Sequence, residues 1–276
     1  MVVNDCSTLS IIEAGGYEIS SSHTFQIVEF VKNIIDLSSL TVTLGGSEIL
    51  SDLSLKIPHA QWCSIIGPSG CGKSTLLRAI AGLIPGKSSK YVTDFQTPAF
   101  VFQDPTLMPW RTVRDNVSLP LELSGQRIKN GQYVDSPAIH QTIEKVGLDS
   151  EDLIKFPRQL SGGMRMRVSM ARALVMQPDI LFMDEPFAAL DELLRQQLNQ
   201  LIYEICQTQK LTTLFVTHNV SEAVYLSDRI LIMNREGVIV NDVGVSLPQQ
   251  RTLDLRGSSE YIAQVNEFTK RLQEAM

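Results

Sequence analysis

Four short stretches of this chain carry side chains able to handle a phosphate ester. The first is Gly67-Pro68-Ser69-Gly70-Cys71-Gly72-Lys73-Ser74-Thr75, which fits G-x-x-x-x-G-K-[ST]. Small residues let backbone N–H groups close around phosphate oxygens, and a helix that follows adds its positive N-terminal end. Lys73 would then reach the β- and γ-phosphates of a nucleoside triphosphate, and the Ser74 hydroxyl would ligate Mg²⁺. A glycine-rich turn can match by chance, so the flanks decide. Trp62 to Ile66 reads as a buried strand, and Leu76 to Ile80 as the opening of a helix.

Asp184 and Glu185 close an apolar run, Ile180 to Met183. A carboxylate at a strand's end, in a chain with a phosphate loop, is placed to hold Mg²⁺ or its waters. A second carboxylate beside the metal suits a general base that polarises water. Thr217-His218 closes the next apolar run in the same way. Parallel strands bring their carboxyl ends to one sheet edge, where open α/β folds bind ligands, so His218 falls within reach of a γ-phosphate. Ser161-Gly162-Gly163 precedes a strong helical stretch from Arg165 to Leu174. Free N–H groups and a hydroxyl at a helix start make a second anion site, or simply a capped turn.

The elements that must position these groups are legible in outline. Leu40 to Leu44, a Gly45-Gly46 turn and Leu53 to Ile57 read as a hairpin. Gly82 and Pro85 stop the helix after the loop. Ala99 to Phe102 is a short apolar strand ending at Gln103. Prolines 105, 109, 120 and 157 punctuate helical stretches over residues 104–175, among them Ile139 to Val146 with a glycine stop at Gly147. From Ile180 strands and helices alternate: Glu192 to Gln207 a helix, Thr213 to Thr217 a strand, a helix capped by Asn219 or Ser221 through Leu226, then strands at Ile230 to Met233 and Val238 to Val240. That alternation implies a parallel sheet flanked by helices. Tyr261, Val265, Phe268 and Leu272 recur at helical spacing, so a short helix should dock at the tail. Phe25 to Ile35 is apolar enough to pack, within a lead-in over residues 1–36.

Composition excludes several classes. The chain has 276 residues, 43% of them hydrophobic, and a net charge of −6. This suits one large domain or a domain with a subdomain, and it disfavours nucleic acid as a partner, which asks for a basic excess. No run of apolar residues is long enough to span a bilayer, and the first 36 residues lack the pattern of a signal peptide. The expected place is therefore the cytoplasm. Cys6, Cys63, Cys71 and Cys206 are scattered, as reduced thiols are. Cys71, inside the loop, is either oxidant-sensitive or a tolerated loop residue.

Taken together, and in this order, the motifs resemble those of ATP-binding subunits of ABC transporters, from about Ile35 to Val240. The resemblance rests on the phosphate loop, Gln103, the signature Leu160-Ser-Gly-Gly-Met164, Asp184 with Glu185, Ala189-Leu190-Asp191, and His218. It implies an α/β fold: a P-loop NTPase core with a mainly parallel sheet, an antiparallel β part, and an α-helical subdomain inserted over about 104–175. It implies ATP and Mg²⁺ as cofactors, with Ser74, Gln103 and Asp184 at the metal. Glu185 would be the base, His218 the γ-phosphate contact, and Gln103 a sensor of metal and water. Two copies would pair head-to-tail, with Ser161 to Gly163 of one closing over ATP on the other. Leu44 stands where the family usually has an aromatic residue against adenine, so stacking there would be lost.

Val101 to Val117, Met164-Arg165 and Thr217 to Arg229 are similar to importers of nitrate, aliphatic sulfonates and taurine. The resemblance then implies a separate membrane permease, a periplasmic or extracellular solute-binding protein acting indirectly, and a place on the cytoplasmic face of the membrane. Leu107, Met108 and Trp110 would either fill a groove against the permease or pack locally. A permease-free ABC ATPase is the alternative. A degenerate regulatory subunit is disfavoured because Lys73, Asp184, Glu185 and His218 are all present.

Overall fold

A computed structural model describes residues 32–125 and 137–276 of the chain. The strand-forming runs assemble into two sheets. One is antiparallel, in the order β2(Ser47–Pro58)-β1(Asn33–Leu44)-β4(Lys90–Thr93). The other has six strands in the order β5(Pro98–Val101)-β6(Ile180–Asp184)-β7(Thr212–Val216)-β3(Trp62–Ile66)-β8(Arg229–Met233)-β9(Ile239–Gly244). Its pairs are parallel except β8 with β9.

Strands β3, β6 and β7 are buried along their whole length, because both faces of the sheet are covered. Their alternation sorts side chains into two cores. Cys63, Ile65, Ile180, Phe182, Leu214 and Val216 face the antiparallel sheet and α1(Lys73–Ile80). Trp62, Ile66, Leu181, Met183 and Phe215 face the helices on the other side. Those helices are α2(Val113–Leu123), α3(Pro137–Lys145), α4(Gly162–Leu174), α5(Glu192–Gln209), α6(Val220–Leu226) and α7(Ser259–Glu274).

Several boundaries differ from the expected ones. β1 starts at Asn33 rather than after residue 36, since Ile34 and Ile35 are fully buried. The rest of the lead-in, including Phe25 to Val31, lies outside the described residues. β4 was not legible. It is an exposed edge strand with Tyr91 and Val92 outward, so no alternation with a core face marks it. The tail helix is long rather than short, 16 residues capped by Ser258, whose Oγ accepts the Tyr261 N–H. Gly82 and Gly147 do end α1 and α3, both at positive φ.

The tail is fastened to α6. Arg251, 3% exposed, donates to the carbonyls of Val224, Tyr225 and Ser227 and lies over the Tyr203 ring. Tyr261 Oη donates to the Ser221 carbonyl at 2.8 Å. Phe268 is fully buried in the helical core. Phe268→Ala should lower unfolding stability by about 3–5 kcal/mol, as cavity-forming aromatic truncations do, and denaturant titration would read the shift.

Candidate functional site

The strand order places β7 between β3 and β6, and the register sets Ile65, Val216 and Asp184 abreast. The residues that follow these three therefore emerge at one edge: the loop from Gly67, Thr217-His218, and Glu185. Val101 pairs with Met183, which brings Gln103 out at the same edge.

The loop from Gly67 to Gly72 runs straight into α1. Gly72 caps the helix with φ +102, and a Cβ there would meet Leu50 at 2.9 Å; only glycine takes that conformation in that space. Lys73 is 6% exposed, and its Nζ donates to the carbonyls of Gly67 and Pro68 at 2.9 and 2.8 Å. Cys71 is buried, and burial pushes its thiol above the ordinary range. A thiol held protonated is a poor nucleophile, which favours the reading of Cys71 as a tolerated loop residue.

Ser74 Oγ donates to Asp184 Oδ1 at 2.6 Å. Arg78, one turn along α1, donates to Asp184 Oδ2 at 3.0 Å. Sequence reasoning missed Arg78. Its spacing of one turn from Ser74 on the same helix was the available signal. Asp184 is 5% exposed, and a polar group so buried is accommodated by hydrogen-bond partners such as this guanidinium and hydroxyl. Glu185 N–H donates to the Val216 carbonyl at 2.9 Å, which locks the strand exit. Glu185 takes φ +48, a left-handed conformation costly for a side chain with a Cβ. Its Oε2 lies 3.1 Å from His218 Nδ1.

Ser161 Oγ accepts the Met164 N–H at 3.2 Å, capping α4. A Cβ on Gly163 would meet the Leu194 methyl groups at 2.7 and 3.0 Å, so a larger residue there would displace that side chain. Among the described residues no hydrogen bond joins Ser161 to Gly163 with Lys73, Ser74, Glu185 or His218. Instead Gly162 lines a cleft with Gln103, Asp104, Leu107, Arg165 and Leu190. Gln103 is exposed there. Leu44 ends β1 as an exposed apolar side chain.

Residues 50–188 match the family described as ABC transporter. The chain belongs to that ABC transporter family. Among curated relatives, the aliphatic sulfonates import ATP-binding protein SsuB 2 of Pseudomonas syringae pv. tomato is 43% identical over 210 residues, 75% of this chain and 86% of the relative. The SsuB protein of Zymomonas mobilis is 41% identical over 230 residues, 80% and 90% of the two chains. Among solved structures, the ATP-binding cassette MJ0796, a post-hydrolysis dimer bound to ADP and phosphate, aligns at TM-score 0.64 and 26% identity over 78% of this chain and all of that one. The cbiO1 chain from Clostridium perfringens aligns at TM-score 0.69 and 23% identity, over 87% and 97%, and shares the fold.

Within the ABC transporter family this chain is an ATP-binding, ATP-hydrolysing subunit. Among the described residues, no helix is long and apolar enough to cross a membrane. Lys73→Ala should weaken ATP binding by about 10–100-fold, the worth of one or two charge-assisted hydrogen bonds. Calorimetric titration of the purified chain with ATP would show it, and an unchanged affinity would count against a phosphate contact by Lys73.

Proposed function

We propose that two copies of this chain, docked on a separate membrane permease at the cytoplasmic face, couple ATP turnover to uptake of a sulfonate-type anion. The observation that carries the pairing is the divided site. One sheet edge gathers Lys73, Ser74, Asp184, Glu185 and His218, whereas Gly162 lines a cleft with Gln103 and Leu190, and among the described residues no hydrogen bond joins the Ser161-Gly162-Gly163 helix start to that group. A helix start that bonds none of those groups among the described residues would meet them in a head-to-tail copy, and the MJ0796 neighbour is itself a dimer. The sulfonate class rests on the identity to sulfonate-import relatives across most of both chains.

Each step follows from the placement of these side chains. Lys73 spends two of its three N–H donors on loop carbonyls and keeps one for a phosphate oxygen. Amides of Ser69 to Thr75 and the start of α1 receive the remaining phosphate charge. The Ser74 hydroxyl and Asp184 carboxylate, already in contact, are hard oxygen donors that fit Mg²⁺, with Gln103 reaching in from the same edge. Among the described residues no cluster of three or more His, Cys, Asp and Glu stands ready for a metal, so phosphate oxygens and waters would complete the shell. Held by Ser74 and Asp184, Mg²⁺ would supply positive charge against the charge of the triphosphate. Glu185 keeps Oε1 for a water proton while His218 Nδ1 steadies Oε2, and the His218 ring stands on the edge that would receive the γ-phosphate. Leu44 supplies adenine with apolar contact and no π-face.

The permease would meet the segment from Gln103 to Trp110. Leu107 packs partly into the core, and Asn116, fully buried, bonds the Met108, Arg111 and Thr112 carbonyls to fix the loop. Trp110 projects, 73% exposed. An aromatic side chain on a rigid loop is a natural anchor in a partner's pocket.

Glu185→Gln should lower ATP turnover about 10²–10⁴-fold while ATP binding and pairing persist, read by phosphate release and by sedimentation with ATP. Turnover at the wild-type rate would remove Glu185 from the role of base. Trp110→Ala should leave ATP turnover by the purified chain unchanged and weaken co-purification with a permease encoded beside it.

A further inference from the structure

Behind His218 lies a buried charged contact to which none of the roles above applies. Glu222, in the first turn of α6, is 4% exposed. Its Oε2 accepts from Thr217 Oγ1 at 2.7 Å. Thr217 Oγ1 accepts the Asn219 N–H at 3.0 Å, and Asn219 Oδ1 accepts the Glu222 N–H at 3.2 Å. These three bonds close a ring around the backbone that carries His218.

The other carboxylate oxygen, Oε1, lies 3.6 Å from Nε of Arg195 on α5. Burial pushes the Glu222 carboxyl upward, and the Thr217 hydrogen bond and the Arg195 charge oppose it. A buried carboxylate is tolerated only with such a partner, so α5 and α6 are held at a fixed spacing by charge as well as packing. Arg195 also bonds Glu192 within its own turn, which fixes the guanidinium.

The same end of α5 reaches the second anion site. Asp191 caps α5 through the Leu194 N–H at 3.0 Å, and Leu194 fills the space beside Gly163. A contiguous path thus runs from Gly163 through Leu194, Arg195, Glu222 and Thr217 to His218. It joins, inside one chain, the helix start offered to one ATP and the histidine offered to the other.

We propose that Arg195 and Glu222 form a positioning pair that holds His218 against Glu185 and ties its placement to the α5 end packed on Gly163. The inference rests on the reading of His218 as a γ-phosphate contact. Neither residue is among the groups assigned to the phosphates, the metal or the attacking water, so the pair should act on turnover and not on affinity.

The test uses the full-length chain. Glu222→Gln and Arg195→Met should each lower kcat about tenfold, the low end of what loss of an orienting partner costs, with ATP affinity unchanged; Glu222→Gln should do so at an unchanged melting temperature, whereas Arg195→Met, which strands the buried carboxylate, should also lower it. The double variant should lose no more than either single one. Thr217→Val, which leaves both charges in place, should show the same kcat loss. Wild-type kcat in these variants, a loss that only follows melting temperature or KM, or additive losses in the double variant would overturn the proposal. His218→Ala serves as the reference: if it alone retains wild-type turnover, the reading of His218 fails, whereas if it loses turnover and the three others do not, the positioning pair fails.

Discussion

The parallel register of β3, β7 and β6 is the constraint on which the site depends. Ile65, Val216 and Asp184 stand abreast only because all three strands are buried on both faces. A slip of one residue would send each apolar set into the wrong core. The two cores therefore fix where the loop, His218 and Glu185 leave the sheet. Backbone bonds across that edge, such as Glu185 N–H to the Val216 carbonyl, carry the register one residue further into the reacting groups.

Charge is placed with similar economy. Asp184 is the most buried acid of the sheet edge, and it is met by one hydroxyl and one guanidinium from successive turns of α1. The loop lysine turns to backbone carbonyls instead. The acid and the lysine are thus compensated separately, rather than by bonding each other, and both remain available to a triphosphate and its metal.

Much of this was legible in the sequence because local rules and tertiary needs agree. The continuous apolar runs at Trp62, Ile180 and Thr213 end in residues able to do chemistry, and the topology of parallel strands supplies their common edge. Gly45-Gly46, Gly82 and Gly147 carry their conformation in their residue type. What escaped lacked such a signature. β4 is an exposed edge strand with no alternation toward a core. Asn33 to Asp36 looked like lead-in because a strand's first residues carry no stop signal. Arg78, Arg195 and Glu222 carried no signal of their pairing, since Asp184 lies 106 residues from Arg78 and Glu222 stands on a different helix from Arg195. Trp110, Met108 and Leu107 looked alike in sequence and differ in burial, which only the Asn116-tied loop decides.

The left-handed backbone of Glu185 has a consequence for how such a chain tolerates change. Holding a glutamate at φ +48 costs about 1 kcal/mol relative to a residue at ease there. Glycine or asparagine would relax that turn, so a library screened for thermal endurance alone would enrich them at this position and discard the carboxylate. The fold has a less strained sequence than the one it carries, which is what a position held for the proposed base would show.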